Sequence, residues 1–214
     1  MKYKLLVFDF DGTLADTTEG LKATHRHTNV AMGRPEPSDE GLSGVIGGPL
    51  FNTYHNIFGY SEEDAKKAIQ IYRNWYAENA INIANLYPGM EETLAELKRR
   101  GYLLGVATMK AESFVIRMLE NLNIKKYFDV IHGVDMNDTH TKASLVTLCM
   151  TETESKKEET VLIGDTHHDA NGASGAGVDF VAATYGFEFK TPEKLEGINA
   201  KAVIYTPTDL LRIF

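Results

Sequence analysis

The sequence has a single cysteine in 214 residues, Cys149, and no apolar run long enough to cross a bilayer. A lone cysteine cannot form a disulfide within the chain, so a reducing compartment is the expected location. A spanning helix needs about 20 apolar residues, and the apolar start of this chain meets Asp9 and Asp11 too early for a signal peptide. We therefore expect a cytoplasmic protein with no membrane partner.

Positive charge is also in short supply. Lysine and arginine number 22 against 30 aspartates and glutamates, which gives a formal net charge of −8. Such a chain lacks the general positive field that collects nucleic acid, so no nucleic-acid partner is expected. Hydrophobic residues make up 43% of the chain and charged residues 24%, which is typical of a folded globular protein. These values favour an enzyme or a small-molecule binder, and we expect a monomer or weak homodimer.

Short apolar runs that end in acids, glycine or threonine recur along the chain and predict buried strands. The runs are YKLLVFDFDG (3–12), YLLGVAT (102–108), YFDVIHG (127–133), TVLIGD (160–165), VDFVAATYG (178–186) and AKAVIYT (200–206). Helical patterns between them cover 88–101, 110–123, 141–152 and 169–177. This alternation predicts an α/β fold, a doubly wound parallel sheet (Rossmann-like core) with helices on both faces. Ligands of such sheets bind beyond the carboxyl ends of the strands.

Residues 16–83 interrupt the alternation with helical patterns and almost no strand signal. They predict an inserted α-helical domain, flanked by the two parts of the α/β domain, 1–15 and 84–214. The last helix of the insertion is expected to follow Ser61, because a serine followed by acids is an N-terminal signal. Its buried face is expected to contain Ile69, Tyr72, Trp75, Tyr76 and Asn79.

Acidic residues follow two of the predicted strands. Asp9 and Asp11 end the first strand, where Gly12 permits a sharp turn. Asp165 ends a later strand, and Asp169 follows at the start of a helix. Asp-Gly pairs are common in turns and Asp169 is a natural N-cap, so both have a plain structural interpretation. Asp165 is harder to explain that way, because an acid at the tip of a buried strand must find a cation or several donors.

Two further residues occupy strand–helix junctions. Thr108 ends a predicted strand and Lys142 opens a predicted helix. A threonine there is often an N-cap, and surface lysines tolerate the unfavourable end of the helix dipole. The same positions also suit a phosphate, which binds hydroxyls, free backbone N–H groups and ammonium groups. Carboxylates gathered with them at one sheet edge call for Mg²⁺ as cofactor, so the four strand ends together predict a phosphoryl-transfer site.

These segments resemble the motifs of the haloacid-dehalogenase-like hydrolase superfamily over essentially the whole chain. DFDGTLADT resembles its first motif, ATMK its second, the lysine of THTKASL its third and GDTHHDA its fourth. The insertion lies where the family has a helical cap, and IGGPL resembles a loop of the phosphoglycolate-phosphatase-like branch. The chain departs from many relatives at Ala143, where they have proline, and at Met109, where they have asparagine.

The resemblance implies a Mg²⁺-dependent phosphatase that hydrolyses a small phosphate monoester through an aspartyl-phosphate intermediate. The ester would be phosphoglycolate-like, a nucleotide, a sugar phosphate or pyrophosphate. Asp9 would be the nucleophile and Asp11 the general acid and base. The metal would be held by Asp9, by the backbone carbonyl of Asp11 and by Asp165.

The resemblance also assigns the remaining site residues. Thr108, Lys142 and Gly12 would bind the phosphate, and Asp169 would orient Lys142 or the metal's waters. Arg34 and Gly47 of the insertion are candidate contacts for the organic part of the substrate.

Two other functions keep the same residues. A sugar phosphomutase of the superfamily would return the phosphoryl group to substrate, but those enzymes often have a bulky aliphatic residue where this chain has Thr13. A non-catalytic phospho-acceptor that resembles response-regulator receivers would also combine acids, a hydroxyl and a lysine with Mg²⁺. Such a receiver needs no helical cap and has no acid placed like Asp11.

Overall fold

The computed structural model describes residues 2–46, 48–135 and 139–214. Within these ranges the chain forms eight strands and nine α-helices, each numbered in chain order. The strands are β1 (Leu5–Phe8), β2 (Ala15–Asp16), β3 (Asn85–Leu86), β4 (Leu103–Ala111), β5 (Val130–Val134), β6 (Thr160–Gly164), β7 (Asp179–Ala183) and β8 (Ala202–Ile204). The helices are α1 (Thr18–Ala31), α2 (Asp39–Ser43), α3 (Leu50–Asn52), α4 (Glu62–Trp75), α5 (Met90–Arg99), α6 (Glu112–Asn121), α7 (Lys142–Glu152), α8 (His167–Ala176) and α9 (Leu210–Ile213).

Six strands form one parallel sheet in the order β5-β4-β1-β6-β7-β8. β1 lies inside the sheet, where Leu5 pairs with Leu103 of β4 on one side and Thr160 of β6 on the other. Every residue of β1 and β6 is buried, because both faces of a parallel sheet are covered. The predicted doubly wound α/β fold is confirmed.

The chain changes direction across the sheet at β1. From β1 it continues to β4 and β5 on one side, and then crosses to β6, β7 and β8 on the other. In open α/β sheets a crevice forms at the carboxyl ends of two neighbouring parallel strands whose following connections run to opposite sides of the sheet. Ligands bind in this crevice. Asp9 follows β1 and Asp165 follows β6, so both acids lie at this crevice.

The chain divides into two compact units. The α/β unit holds the residues up to Asp16 and from Asn85 onward, and the helical unit is Thr17–Ala84. Where the chain leaves and re-enters the α/β unit, β2 and β3 form an antiparallel pair, with Ala15 opposite Leu86. None of the helices in the described ranges combines the length and apolar character that a membrane crossing requires.

In the helical unit, α4 begins as predicted, because the Ser61 hydroxyl accepts a hydrogen bond from Asp64 N at 3.0 Å. The predicted buried face is wrong at its end: Ile69, Tyr72 and Tyr76 are buried, Trp75 is half-buried and Asn79 is exposed. Tyr76–Ala80 is wound as a π-helix. Its i→i+5 spacing breaks the 3.6-residue period, so Ala80 rather than Asn79 is buried.

Candidate active site

Asp9 and Asp11 lie in a tight turn directly after β1. The backbone N–H of Asp9 donates to Ile163 O at 2.9 Å, which keeps this residue beside β6. Gly12 then adopts a φ of +81°, and a methyl group at this position would overlap the carboxylate of Asp165. The turn therefore requires glycine for its backbone conformation and for the space beside Asp165.

Lys142 is the first residue of α7, where a capping box between Thr141 and Ser144 starts the helix. Its side chain is 2% exposed, and its Nζ lies 2.8 Å from Asp9 Oδ1 and 2.8 Å from Asp169 Oδ1. Both contacts are ion pairs. Nζ also donates to the carbonyl of Ala107 at 3.0 Å. A surface role for this lysine is excluded.

Asp165 is fully buried after β6, and both of its carboxylate oxygens have partners. Oδ1 accepts from the Thr13 hydroxyl at 2.8 Å, and Oδ2 accepts from the backbone N–H of Phe187 at 2.7 Å. In the part of the chain that the structure describes, no lysine or arginine forms an ion pair with Asp165. The donors fix the carboxylate but leave its charge without a counter-ion.

Asp169 combines a capping role with an ion pair. It is the third residue of α8, and its Oδ2 accepts from Thr166 Oγ1 at 2.6 Å, Thr166 N at 3.1 Å and Asp165 N at 3.2 Å. Its other oxygen faces Lys142. The expectation that Asp169 is the N-cap residue is therefore wrong: Thr166 caps α8, and Asp169 completes a capping box from the third helical position. The same side chain contacts Lys142.

Lys110 was not predicted as a site residue, and it lies against Asp11. Its Nζ is 3.2 Å from Asp11 Oδ2, and both side chains are largely buried, at 6% and 12% exposure. The signal available in the sequence was its place in the ATMK segment, two residues after Thr108. The helical pattern over 110–123 instead predicts that Lys110 begins a helix.

Thr108 is buried, but it neither ends its strand nor caps a helix. β4 continues past it to Ala111, which is itself the N-cap residue of α6 and makes no side-chain cap. A register shift against β5 between Ala107 and Ala111 marks a bulge, and bulges re-aim side chains near sites. The Thr108 hydroxyl accepts a hydrogen bond from Lys110 N at 3.3 Å.

Burial dominates the electrostatics of these groups. It raises the pKa of Asp9 to about 6, more than the nearby Lys142 lowers it. Burial likewise raises the pKa of Asp165 well above its usual value, and the charges of Asp169 and Asp9 add to the effect. Burial alone would lower the pKa of Lys142, but Asp169 and Asp9 outweigh it, so this pKa is raised and the side chain stays charged.

The donor set fits a hard divalent cation. Oxygens of Asp9, Asp165 and Asp169 lie within 4.8 Å of one another. Among the described residues, Lys142 forms ion pairs with Asp9 and Asp169, and Lys110 forms one with Asp11. Asp165 forms no ion pair within these ranges, so the carboxylates of the site outnumber its ammonium groups. Mg²⁺ prefers carboxylate and carbonyl oxygens together with water. Because Asp169 already engages Lys142 and three donors, Asp9 and Asp165 are the side chains better placed to hold the ion.

The structure does not test the two candidate residues of the insertion. Arg34 is exposed in the helical unit, where its guanidinium lies 4.6 Å from the centre of the Tyr60 ring. Gly47 lies outside the described residues. Their contact with substrate stays a prediction.

Known sequences identify the family. A profile described as haloacid dehalogenase-like hydrolase matches residues 6–183. The chain belongs to the haloacid dehalogenase-like hydrolase family. Among solved structures, a haloacid dehalogenase-like hydrolase from Streptococcus pneumoniae has a TM-score of 0.91 and 30% identity, covering 100% of this chain and 99% of that one. A predicted phosphatase from Clostridium acetobutylicum has a TM-score of 0.93 and 28% identity, with 100% and 98% coverage.

The similar proteins of known sequence carry names for different activities. Tyrosine-protein kinase PtkA of Mycobacterium tuberculosis is 31% identical over 185 residues, 86% of this chain but 63% of the relative, so this chain spans less than two thirds of its length. Pyrophosphatase PpaX of Bacillus mycoides is 31% identical over 215 residues, 100% of this chain and 97% of the relative. A phosphoglycolate phosphatase of Vibrio parahaemolyticus is 29% identical over 219 residues, with 98% and 95% coverage.

Proposed function

We propose that this protein is a Mg²⁺-dependent phosphatase that hydrolyses a small phosphate monoester through a phosphoryl group carried on Asp9. The Asp9–Lys142 pair carries this proposal. A buried carboxylate at the carboxyl end of β1 lies 2.8 Å from a buried ammonium group. A nucleophile and a phosphate-binding cation are thereby held at the crevice where ligands of such sheets bind.

In the first step Asp9 attacks phosphorus, and the bond between phosphorus and the ester oxygen breaks. Lys142 and Thr108 hold the phosphoryl oxygens, and Asp169 keeps Lys142 in place through its own 2.8 Å ion pair. Asp11 donates a proton to the leaving oxygen. It then takes a proton from the water that attacks the aspartyl-phosphate, which releases phosphate and restores Asp9. Acid–base assistance of this kind contributes about 10² to 10⁴-fold.

Charge repulsion between carboxylate and phosphate is the main obstacle to the attack. Two like unit charges 4 Å apart cost about 4 kcal/mol at an effective dielectric constant near 20. Lys142 offsets part of this cost because its ammonium is already placed and needs no rearrangement. Mg²⁺ held by Asp9, the Asp11 carbonyl and Asp165 would supply the remaining neutralisation.

The substrate class is a small ester or anhydride of phosphate: phosphoglycolate, a nucleotide, a sugar phosphate or pyrophosphate. The names of the phosphoglycolate phosphatase and pyrophosphatase relatives support this range. Arg34 and Gly47 are the proposed contacts for the organic part. We expect a cytoplasmic enzyme that acts on a free small molecule.

Transfer to an acceptor other than water is the second candidate, and the 31% identity to a tyrosine-protein kinase favours its consideration. A sugar phosphomutase would use the same residues with a sugar as acceptor. Thr13 supports hydrolysis over the mutase, because its buried hydroxyl is committed to Asp165 where mutases often carry an aliphatic side chain.

The test is phosphate release from p-nitrophenyl phosphate, phosphoglycolate, a nucleoside monophosphate, a sugar phosphate and pyrophosphate, with Mg²⁺ and with EDTA. We expect Mg²⁺-dependent release that disappears in Asp9→Asn and falls at least 100-fold in Asp11→Asn. A different result would establish the transferase instead: Asp9 becomes phosphorylated without release of phosphate, and the phosphoryl group passes to a sugar phosphate or a tyrosine peptide. Absence of both release and phosphorylation would overturn both candidates.

A further inference from the structure

The segment after β7 lies against the proposed metal site, although no motif of the sequence pointed to it. We name residues 184–189 the β7 loop. It is anchored at its start, where Thr184 N donates to Ile204 O of β8 at 2.9 Å. At its end, Phe189 is fully buried, with its ring 6.3 Å from that of Phe180. Both ends of the loop are therefore held by the core of the α/β unit.

Between these anchors, the β7 loop donates to both sides of the site. The backbone N–H of Phe187 donates to Asp165 Oδ2 at 2.7 Å, and that of Phe189 to the carbonyl of Asp165 at 3.3 Å. The hydroxyl of Tyr185 donates to the carbonyl of Thr13 at 3.1 Å. Thr13 in turn donates to Asp165 Oδ1. The loop thus connects the turn after β1 with the carboxylate after β6.

Gly186 makes this close approach possible. A methyl group at this position would overlap Cβ and Oδ2 of Asp165 and also the carbonyl oxygen of Gly12. Asp165 is fully buried and cannot move aside into solvent. Gly186 has no left-handed φ, so φ does not require glycine here, and the constraint that the structure shows is the space beside Asp165.

We propose that Gly186 is a positioning residue of the metal site. Because glycine has no Cβ, the β7 loop can lie directly against Asp165. The Phe187 N–H and the Thr13 hydroxyl then fix the carboxylate in the orientation that binds Mg²⁺. Mutation of a group that hydrogen-bonds to a metal ligand and orients it typically lowers the affinity for the metal 10–100-fold. The inference rests on the proposed function, because it takes Asp165 as a metal ligand.

The test uses the full chain and Mn²⁺ as the probe, with free Mn²⁺ measured by electron paramagnetic resonance. Gly186→Ala is expected to weaken Mn²⁺ binding about tenfold or more. In the phosphatase assay, the KM for Mg²⁺ should rise by a similar factor, while kcat at saturating Mg²⁺ falls much less. A role limited to packing would lower the melting temperature and leave the Mn²⁺ dissociation constant unchanged.

Gly105→Ala is the matched control for crowding. Its methyl group would lie 3.1 Å from Val130 Cγ2 and 3.4 Å from Cys149 Sγ, in the same unit but among apolar partners. We expect it to lower the melting temperature without changing Mn²⁺ affinity. Tyr185→Phe adds no volume and removes only the hydroxyl that donates to Thr13, and we expect about threefold weaker Mn²⁺ binding.

The outcomes separate the inference from the proposed function. Wild-type affinity for Mn²⁺ in Gly186→Ala overturns the inference alone, and so does an equal loss of affinity in Gly105→Ala. If Gly186→Ala does not fold, unchanged Mn²⁺ binding in Tyr185→Phe overturns it. A wild-type protein that binds no Mn²⁺ overturns the metal dependence of the proposed function, and the inference with it.

Discussion

At the scale of residues, Lys142 shows how burial converts a common side chain into a fixed charge. In isolation a lysine at a helix N-terminus is an unremarkable surface residue. Here it is buried between Asp9 and Asp169, whose charges keep it protonated although burial works against that state. Its ammonium is therefore already oriented, which is the condition for strong electrostatic stabilisation in its proposed role as a phosphate-binding group.

Lys110 leads to the first prediction. Lys110→Met removes the ammonium 3.2 Å from Asp11 Oδ2, so the carboxylate that we propose as acid and base loses this buried ion pair. We expect kcat for p-nitrophenyl phosphate to fall about tenfold, a part of the usual acid–base contribution, with Mn²⁺ affinity preserved.

Lys126→Met is the matched control, since Lys126 pairs with Glu91 at 3.3 Å on the surface. The measurement is the kcat of both variants in steady-state kinetics. An equal fall in kcat in the two variants, or no fall in Lys110→Met, contradicts a role for Lys110 beside Asp11.

The sequence pattern around Lys110 did not predict that this residue belongs to the site. The helical pattern begins at residue 110, and a helix start there would expose this side chain. The structure instead continues β4 through a bulge to Ala111. A bulge depends on pairing with β5, some twenty residues further along the chain, so local periodicity does not reveal it.

At the scale of elements, glycines set the distance between α7 and α8. A methyl group at Gly172 of α8 would overlap the stem of Lys142, and one at Gly164 of β6 would overlap Asp169. The small residues of α8 thus do more than favour close packing. They leave the volume through which Lys142 reaches Asp9 and Asp169.

The second prediction tests this packing with two glycines one turn apart on α8. Gly172→Ala should displace Lys142 and lower kcat about 100-fold, because small misplacements of a catalytic group have effects of that size. Gly175→Ala, whose methyl would lie 3.1 Å from Ala143 Cβ, leaves Lys142 untouched and should keep wild-type kcat. Both variants gain about 1 kcal/mol of helix propensity, so a comparison of kcat and melting temperature separates displacement from destabilisation. Equal activity in the two variants would refute the idea.

A buried histidine gives the helical unit a pH-dependent stability. His25 is 2% exposed, its Nδ1 lies 3.1 Å from the Tyr54 hydroxyl, and its ring lies 4.8 Å from that of Tyr72. Burial lowers its pKa to about 4. The folded state therefore holds this side chain neutral over a range in which the unfolded chain is protonated.

We expect the helical unit to lose stability as the pH is lowered. Between the unfolded pKa near 6.5 and the folded pKa of about 4, the unfolded state binds the extra proton, so stability falls as the pH is lowered through this window. Through His25, the free energy of unfolding falls by about 3 kcal/mol as the pH is lowered across this range. Trp75, the single tryptophan, lies in this unit and reports its unfolding by fluorescence. His25→Gln should show a smaller pH slope, and a slope identical to wild type would disprove the assignment.

At the scale of the whole molecule, the site exists only because segments that are distant in the sequence meet at one edge of the sheet. Asp9, Thr108, Lys142 and Asp165 come from four separate elements, and the sheet order places β1 between β4 and β6. The fold thus concentrates negative charge at one point. Stability should depend on the cation that neutralises it.

The fourth prediction concerns this linkage. A cation present at 100 times its dissociation constant adds about 2.7 kcal/mol to the free energy of unfolding, so Mg²⁺ should raise the melting temperature and EDTA should reverse the rise. Asp165→Asn should show no such response.

Because burial raises the Asp165 pKa, its charged form lowers the stability of the fold as the pH rises above the unfolded pKa near 4. Asp165→Asn should therefore match or exceed wild type at neutral pH without Mg²⁺. A wild-type melting temperature unaffected by Mg²⁺ would contradict the prediction.

The sequence alone determined the α/β class and the position of the helical insertion. Strand and helix patterns are local, and apolar runs that end in acids recur at the spacing a parallel sheet requires. The motif residues could be proposed because the carboxyl ends of parallel strands share one edge. Only the tertiary structure decided which groups meet: Lys110 with Asp11, Lys142 with two carboxylates, and Gly186 with Asp165. Those pairings join residues 21 to 133 positions apart. They depend on a bulge and on side-chain volume, neither of which local periodicity encodes.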